Sequence, residues 1–187
     1  MKEKAKYIVI LGAGESGVGA ALLAKSKGFD VFVSDAGKIK DKHKQELNDN
    51  HIEWEENGHT ESKILSADEV IKSPGIPNSI QLIQKIRNHG LIPISEVEFA
   101  ARYTDSKLIA ITGSNGKTTV THLIHHVLNH AGLSVEMAGN VGVSLARRIY
   151  EGKADYYVIE LSSFQLEDMY EFKADIAILL NITPEHL

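Results

Sequence analysis

The chain has 187 residues, 43% of them hydrophobic and 24% charged, and a formal net charge of −5. This length suits one large or two small soluble globular domains, and the acidic balance argues against a nucleic-acid partner. Cysteine is absent, which excludes disulfides, thiolate metal sites and a cysteine nucleophile. No apolar stretch has the length of a membrane span, so we expect no membrane partner. We also expect the protein to be a cytoplasmic monomer.

The first predicted unit is a strand over 7–11, a glycine-rich turn, a helix over 18–27 and a second strand over 29–34. The turn from Gly12 to Gly17 has the pattern G-x-G-x-x-G, and Asp35 follows the second strand. Such a βαβ unit is typical of dinucleotide binding, where the acid faces a ribose or another polar ligand group. The alternative is that the glycines only allow the helix and strand to pack closely.

The rest of the first half predicts further alternation of helices and strands. A polar surface helix is expected over 38–50, a strand over 69–72, a helix capped by Ser79 and ending at residue 88, a strand over 91–94 and a helix over 95–101. Ser73, Pro74 and Gly75 form a turn at the expected ligand edge of the sheet. The polar stretch 103–107 predicts a domain boundary, which divides the chain into 1–104 and 105–187.

The second half begins with a strand over 108–111, the loop 112–119 and a helix over 120–131. This order is typical of a phosphate-binding loop, in which Lys117 reaches the outer phosphates and Thr118 joins a Mg²⁺ shell. The general pattern G-x-x-x-x-G-K-[ST] has a glycine where this chain has Ile111. The alternative is a glycine-rich turn that is followed by a solvated lysine.

Three more strands are expected, over 134–137, 155–160 and 175–180. A helix is expected over 144–150, and the segment 161–166 leads into another short helix. Glu160 ends the second of these strands, where a carboxylate can hold the Mg²⁺ of a nucleotide, although a strand-end glutamate is often only solvated. Four histidines crowd the helix after the loop, and we interpret them as helix surface and not as a metal site: His122, His125, His126 and His130.

Residues 112–119 closely resemble the ATP loop of the Mur ligases, which build the peptide stem of bacterial cell-wall precursors. That family carries the shortened glycine pattern, which accounts for Ile111. The segments 139–142, 160–166 and 181–186 are similar to the family member that adds D-glutamate to UDP-N-acetylmuramoyl-L-alanine, and so are the turns at 12–17 and 73–76. The resemblance covers essentially the whole chain.

The resemblance implies a Rossmann-like parallel-sheet domain over 1–104 that binds the UDP-sugar and not NAD. It also implies that 105–187 is the first part of a P-loop ATPase α/β domain, and that a third, amino-acid-binding domain is absent. The implied reaction is an ATP-dependent ligation through an acyl phosphate, with ATP and Mg²⁺ as cofactors and UDP-N-acetylmuramoyl-L-alanine and D-glutamate as partners. We therefore expect an N-terminal fragment that is inactive by itself.

The resemblance also implies roles for individual residues. The ATP phosphates would contact Gly113, Ser114, Asn115, Gly116, Lys117, Thr118 and Thr119. The catalytic residues would be Lys117, Glu160 and His186, and the metal ligands would be Thr118, Glu160 and His186. The UDP-sugar would contact Gly14, Glu15, Ser16, Asp35, Ser73, Gly75, Asn140, Ser162 and Gln165.

Two other functions stay open. The turn from Gly12 to Gly17 with Asp35 also fits an NAD(P)-dependent oxidoreductase domain, which leaves the second half unexplained. A nucleotide-sugar-binding module without catalysis is the other alternative. Binding of NADH or of a UDP-sugar would discriminate between the first of these and a ligase.

Overall fold

The structure, a computed structural model, describes residues 5–183. Its strands are β1 (Tyr7–Leu11), β2 (Asp30–Ser34), β3 (Glu53–Glu55), β4 (Glu69–Lys72), β5 (Ile94–Ser95), β6 (Lys107–Thr112), β7 (Val135–Gly139), β8 (Tyr156–Glu160) and β9 (Ile176–Leu179). Its helices are α1 (Glu15–Ser26), α2 (Asp41–Asp49), α3 (Glu61–Leu65), α4 (Gln81–Asn88), α5 (Glu96–Ala101), α6 (Lys117–His130), α7 (Leu145–Glu151) and α8 (Ser163–Leu166). Strands and helices alternate, and the fold is of the α/β class that the sequence predicts.

The first five strands form one parallel sheet in the order β3-β2-β1-β4-β5. The central strand β1 is apolar along its length, as expected for a strand that is covered on both faces. Ile8 and Ile10 belong to a core with α1 and α5, whereas Val9 and Leu11 belong to a core with α3 and α4. The sheet order reverses between β1 and β4, so the turns after these strands flank the crevice where open α/β sheets bind ligands.

The other four strands form a second parallel sheet in the order β7-β8-β6-β9. β6 lies between β8 and β9, and this places the loop after β6 beside the ends of both neighbours. Ile109 and Ile111 pack towards α6, while Leu108 and Ala110 face the opposite side of the sheet. The ligand edge of this sheet therefore collects the loop after β6, the end of β8 and the segment after β9.

The two sheets share one hydrophobic core, which α1, α5 and α7 fill between them. The helices α1 and α7 touch at Gly19, where an added Cβ would lie only 2.1 Å from the Ser144 hydroxyl oxygen. That hydroxyl caps α7 by accepting the backbone N–H of Arg147 at 3.2 Å. Because the core is shared, the division into 1–104 and 105–187 stays a prediction.

Several local predictions differ from the structure. Both helices that follow the glycine loops begin three residues before their predicted starts, because Gly14 and Gly116 serve as their N-caps. The predicted cap at Ser79 is wrong, since Ile80 occupies that position without a side-chain cap. The strand expected over 91–94 lies instead at β5, and β3 and α3 were not predicted. None of the helices in the described part of the chain has both the length and the apolar character needed to cross a lipid bilayer.

Candidate active site

The loop between β6 and α6 turns through two glycines with positive φ. Gly113 has φ 139°, and an added Cβ there would lie 3.0 Å from the carbonyl oxygen of Asn181. Gly116 has φ 88° and caps α6 in the left-handed region, which side chains other than glycine rarely adopt. The loop thus brings the N-terminus of α6, with its partial positive charge, to the ligand edge of the second sheet.

Lys117 folds back over this loop. Its ammonium group donates hydrogen bonds to the carbonyl oxygens of Gly113 at 2.5 Å and Ser114 at 2.9 Å. Carbonyl oxygens carry only partial negative charge, so phosphate oxygens would be stronger acceptors for the same ammonium group. The side chain is therefore placed to exchange loop carbonyls for an anionic ligand.

Asn181, for which no role was predicted, binds the backbone of the same loop from the segment after β9. Its side chain accepts the backbone N–H of Asn115 and donates to the backbone carbonyl of the same residue, both at 2.9 Å. Its own carbonyl accepts the N–H of Ser114 at 3.0 Å, and the Ser114 hydroxyl accepts the N–H of Thr183 at 2.9 Å. The sequence signals for Asn181 were its position just after the last strand and its place in the segment 181–186, which resembles the Mur ligases.

Glu160 lies at the end of β8 and is 2% exposed. One carboxylate oxygen accepts the side-chain amide of Asn140 at 3.0 Å, while the other is buried without a hydrogen-bond partner. The backbones of β7 and β8 come close together at Gly139, because an added Cβ there would lie 2.2 Å from the carbonyl oxygen of Glu160. A buried carboxylate oxygen without a donor is costly, and a cation or a ligand donor would satisfy it.

A cavity of about 430 Å³ opens beside the loop between β6 and α6. Its polar walls combine the loop and the two strand ends, and five of the predicted site residues line it: Gly113, Ser114, Lys117, Asn140 and Ser162. Phe164, Leu179 and Ile182 add apolar surface. The structure therefore brings predicted phosphate-loop and substrate residues to one cavity, although Thr118 and Thr119 are exposed on α6 outside its lining.

Ser162 and Gln165 form a capping box at the start of α8. The Ser162 hydroxyl accepts the N–H of Gln165 at 3.3 Å, and the Gln165 side-chain oxygen accepts the N–H of Ser162 at 2.9 Å. Gln165 is buried, whereas Ser162 also lines the cavity. Gln165 thus shapes the α8 turn that presents Ser162 to the cavity.

The predicted substrate residues of the first half surround the switch point between β1 and β4. Gly12 lies against Ser73, since an added Cβ would come within 2.8 Å of the Ser73 Cβ. Both oxygens of Asp35 are engaged, because they accept the backbone N–H groups of Ala13 at 2.7 Å and Gly37 at 2.8 Å. Asp35 therefore ties the turn after β1 to the turn after its own strand, β2. Its carboxylate, which we expected to face a ligand, is occupied by these two backbone N–H groups.

Glu15 begins α1 and is held by Arg147 from α7. The Arg147 guanidinium donates to Glu15 at 2.6 Å and also to Glu46 on α2. Desolvation lowers the pKa of Arg147, but the hydrogen bonds to Glu46 and Glu15 outweigh it and raise this pKa. Of the other predicted residues here, Gly14 and Gly75 are exposed and Ser16 is half-buried in the first turn of α1.

The predicted metal ligands are only partly described. His186 lies outside residues 5–183. Within those residues, no group of three or more His, Asp or Glu side chains is arranged to hold a metal ion. Mg²⁺ in nucleotide sites takes one or two carboxylates together with phosphate oxygens and water, so a single buried carboxylate such as Glu160 is compatible with such a site.

Two family models match this chain, one for each sheet. Residues 7–81 match the MurD N-terminal domain, and residues 111–187 match the Mur ligase middle domain. The chain belongs to the Mur ligase family. The middle-domain match begins at the last residues of β6, so it contains the phosphate loop and Glu160 of this Mur ligase chain.

Curated relatives agree with that assignment. UDP-N-acetylmuramoylalanine–D-glutamate ligase from Bacteroides fragilis is 65% identical over 182 residues, which cover 97% of this chain and 41% of the relative. The ligase of the same name from Porphyromonas gingivalis is 59% identical over 186 residues and is also covered over 41% of its length. This Mur ligase chain thus spans about two fifths of the length of the relatives it matches.

Solved structures share the fold. UDP-N-acetylmuramate:L-alanyl-gamma-D-glutamyl-meso-diaminopimelate ligase from Neisseria meningitides matches with a TM-score of 0.63 and 24% identity, covering 98% of this chain and 62% of that one. UDP-N-acetylmuramate-alanine ligase from Thermotoga maritima matches with a TM-score of 0.58 and 23% identity, covering 98% and 43%. At this identity the likeness concerns the arrangement of the two Mur ligase sheets alone.

Proposed function

We propose that this chain supplies the UDP-sugar site and the ATP-phosphate site of a ligase that adds D-glutamate to UDP-N-acetylmuramoyl-L-alanine in peptidoglycan precursor synthesis. The names of the relatives motivate the two substrates. The observation that carries the proposal is the cavity in which Lys117, Asn140 and Ser162 meet, next to the buried free oxygen of Glu160. A phosphate-binding loop and a polar substrate wall on one cavity suit phosphoryl transfer to a bound substrate.

The ATP phosphates would lie at the N-terminus of α6. Backbone N–H groups of the loop 113–119 and the ammonium of Lys117 would meet their oxygens. Lys117 would leave the carbonyls of Gly113 and Ser114 as the phosphates arrive, because a charge-assisted hydrogen bond to phosphate is stronger. Asn181 would keep the loop in shape during this exchange.

One observation supports a Mg²⁺ ion at this site: a carboxylate oxygen of Glu160 is buried and lacks a hydrogen-bond partner. Glu160 and the Thr118 hydroxyl would hold the ion, as proposed from the family resemblance, and His186 would join a second metal shell. When bound, the ion would neutralise charge on the phosphate oxygens. The hydrogen bond from Asn140 would keep the Glu160 carboxylate oriented.

The proposed reaction has two steps. A carboxylate oxygen of the bound UDP-N-acetylmuramoyl-L-alanine attacks the terminal phosphorus of ATP, and ADP leaves with the electron pair of the broken P–O bond. The amine of D-glutamate then attacks the acyl phosphate carbon, releases inorganic phosphate and loses a proton. Lys117 and the loop N–H groups would stabilise the charge that develops on the transferred phosphoryl oxygens.

The UDP end would bind at the crevice of the first sheet. The residues at this crevice would be Gly14, Glu15, Ser16, Ser73 and Gly75. Asp35 would keep the turn after β1 in place through its bond to Ala13. Asn140 and Ser162 would contact the phosphate–sugar portion, and Gln165 would hold Ser162 in place through the capping box. In this proposal residues 1–104 serve as the UDP-sugar-binding domain and residues 105–187 as the first part of the ATP-binding domain.

Calorimetry on the 187-residue chain tests the UDP-sugar site. We expect binding of UDP-N-acetylmuramoyl-L-alanine, no binding of NAD⁺ and no phosphate release with ATP and D-glutamate. Gly14→Val should weaken UDP-sugar binding at least about tenfold, because nothing lies within 4 Å of an added Cβ there and the new side chain would enter the crevice. Gly152→Val is the matched control, since its Cβ also meets open space.

Two other outcomes would favour the alternative functions. Binding of NAD⁺ without binding of UDP-sugar would contradict the ligase and favour the oxidoreductase. Binding of UDP-sugar by the chain, with no ligation by a full-length protein that carries this sequence, would favour a pure binding module.

A further inference from the structure

A buried ion pair connects the two sheets next to the proposed substrate site. Lys72 is the last residue of β4 and is 2% exposed, and Asp168 follows α8 and is 1% exposed. The Lys72 ammonium lies 2.8 Å from one carboxylate oxygen of Asp168. The same ammonium donates to the carbonyl oxygen of Ile76 at 2.6 Å.

Each partner is attached to a segment that the proposed function assigns to the substrate. Lys72 directly precedes Ser73, and its bond to Ile76 closes the 73–76 turn, which also has an N–H to carbonyl bond from Ile76 to Ser73 at 3.0 Å. Asp168 comes three residues after Gln165 of the α8 capping box. The ion pair therefore ties the turn after β4 to the segment that carries Ser162 and Gln165.

A second contact fixes the same segment to the first sheet. The backbone carbonyl of Asp168 accepts the N–H of Ser95 on β5 at 2.8 Å. Close to it, the carboxylate of Glu98 accepts the N–H groups of Tyr170 at 3.0 Å and Phe172 at 2.9 Å. Residues 168–172 thus bind to β5 and α5 through defined hydrogen bonds.

Stability alone does not account for the ion pair. Burying two charges costs several kcal/mol per ion, and apolar pairs of similar volume are often as stable. The second carboxylate oxygen of Asp168 is buried without a hydrogen bond, and the Arg87 guanidinium reaches only to 3.6 Å from it. What such a pair does provide is a fixed geometry, since each partner is held by short, directional contacts.

We propose that Lys72 and Asp168 are positioning residues that hold the 73–76 turn and the Ser162–Gln165 turn at the separation a UDP-sugar requires. This inference rests on the proposed function, in which the nucleotide meets the first turn and the phosphate–sugar portion meets the second. A ligand that reaches only the first turn is insensitive to their separation. A ligand that spans both turns loses affinity when the separation changes.

The test compares two ligands on the 187-residue chain. UMP represents the nucleotide end, and UDP-N-acetylmuramoyl-L-alanine spans both turns. The double variant Lys72→Met with Asp168→Asn removes both charges, so neither partner is left buried and unpaired. Because the double variant also removes the Lys72 bond to Ile76 in the 73–76 turn, UMP affinity should fall modestly. We expect UDP-sugar affinity to fall about tenfold further than UMP affinity, as measured by calorimetry.

Asp168→Glu is a second variant that keeps the charge and displaces the segment by one methylene. It should change the ratio of the two affinities in the same direction, even if the double variant fails to fold. Lys85→Met is the matched control, because Lys85 forms an exposed ion pair with Glu61 in the same half of the chain. This control should leave both affinities unchanged.

The outcomes distinguish this inference from the proposed function. An unchanged ratio of the two affinities in the Lys72 and Asp168 variants, whether both fall or neither does, would overturn the positioning role. Failure of the wild-type chain to bind the UDP-sugar would instead overturn the proposed function, and with it the ligand on which this inference depends.

Discussion

The two glycine loops start from the same local pattern, a buried strand followed by glycines and a helix, yet their helices differ in burial. On α1 every residue from 17 to 24 is buried, because the helix lies between the first sheet and α7. On α6 the described side chains include one buried residue, Thr121, while Leu123 and Val127 are 58% and 55% exposed. The first helix therefore joins the two halves, whereas the second leaves an open face.

The polar groups of the loops differ in the same way. In the first loop, neighbouring elements hold the backbone of Ala13, through Asp35 on its N–H and His43 on its carbonyl at 2.8 Å. In the second loop, a flexible lysine of the loop itself, Lys117, satisfies the carbonyls. A ligand can displace that lysine more easily than it can displace a carboxylate on another element. The first loop is therefore fixed by its neighbours, whereas the carbonyls of the second loop can lose Lys117 to an incoming ligand.

The largest expected effect concerns Glu96, which lies at the junction under α1 and α7. Burial raises the pKa of Glu96 to about 8. The hydrogen bond from the backbone N–H of Ala146 acts in the opposite direction, and the negative charge of Glu15 adds a smaller increase. Below the unfolded pKa near 4.5 both states are protonated. Between pH 4.5 and pH 8 the unfolded carboxyl loses its proton while the folded one keeps it, so stability falls as the pH rises.

Glu96→Gln should remove this dependence. The amide oxygen can still accept the N–H of Ala146, and each pKa unit corresponds to about 1.4 kcal/mol. Relative to wild type, the free energy of unfolding of the variant should therefore rise from pH 5 to pH 7.5 by about 3 kcal/mol, measured by urea denaturation at both values. Glu171→Gln, at an exposed position, is the control. Parallel curves for wild type and Glu96→Gln would mean that this carboxyl is not held neutral at the junction.

The next effect concerns Lys117 of the second loop, which is proposed to leave the loop carbonyls and bind phosphate oxygens. In a full-length ligase that carries this sequence, Lys117→Ala should reduce the rate of ligation by about 10²–10³, because the charge on the transferred phosphoryl loses its ammonium partner. The melting temperature should stay close to that of wild type, since Lys117 bonds only to loop carbonyls in the structure. Lys153→Ala, at an exposed lysine of the same half, provides the control. A near-normal kcat would show that residues 111–119 are not the catalytic phosphate loop.

The smallest of the three effects tests the buried helix against the open one. Gly19→Val should destabilise the chain by about 2–3 kcal/mol, because its Cβ would clash with Ser144 and disturb the cap of α7. Leu123→Ser on α6 should change the unfolding free energy by less than about 0.5 kcal/mol, since that side chain is mostly exposed. Equal changes in unfolding free energy for the two variants in denaturant titrations would contradict the difference in burial between α1 and α6.

Local predictions succeeded where the signal was local. β1 is a continuous apolar run, and β4 and β6 have apolar centres with one polar residue at each end. The positions of these three strands agree with the prediction within one residue at either end. The helix starts were placed too late, because a glycine N-cap such as Gly116 gives no side-chain signal of the Ser, Thr or Asp kind. β3 was missed because its three residues, Glu53–Glu55, are two acids and a tryptophan without an apolar run.

The candidate site was predicted unevenly for a similar reason. Glycine spacing and a strand-end acid identified Gly113, Lys117 and Glu160, and the structure places their strands side by side. Asn181 was missed because its partners lie in the loop 66 residues earlier. The same holds for Lys72 and Asp168, which are distant in sequence and pair only after the two sheets have packed.

The α/β class, the alternation of strands and helices and the two glycine loops follow from residue patterns a few positions long, because backbone conformation and hydrophobic periodicity are short-range properties. Burial of Glu96, pairing of Lys72 with Asp168 and the free oxygen of Glu160 depend on the packing of distant segments. Electrostatic and desolvation energies are set by that packing and not by neighbours in the chain. The chemistry of each charged group was therefore decided only by the tertiary structure.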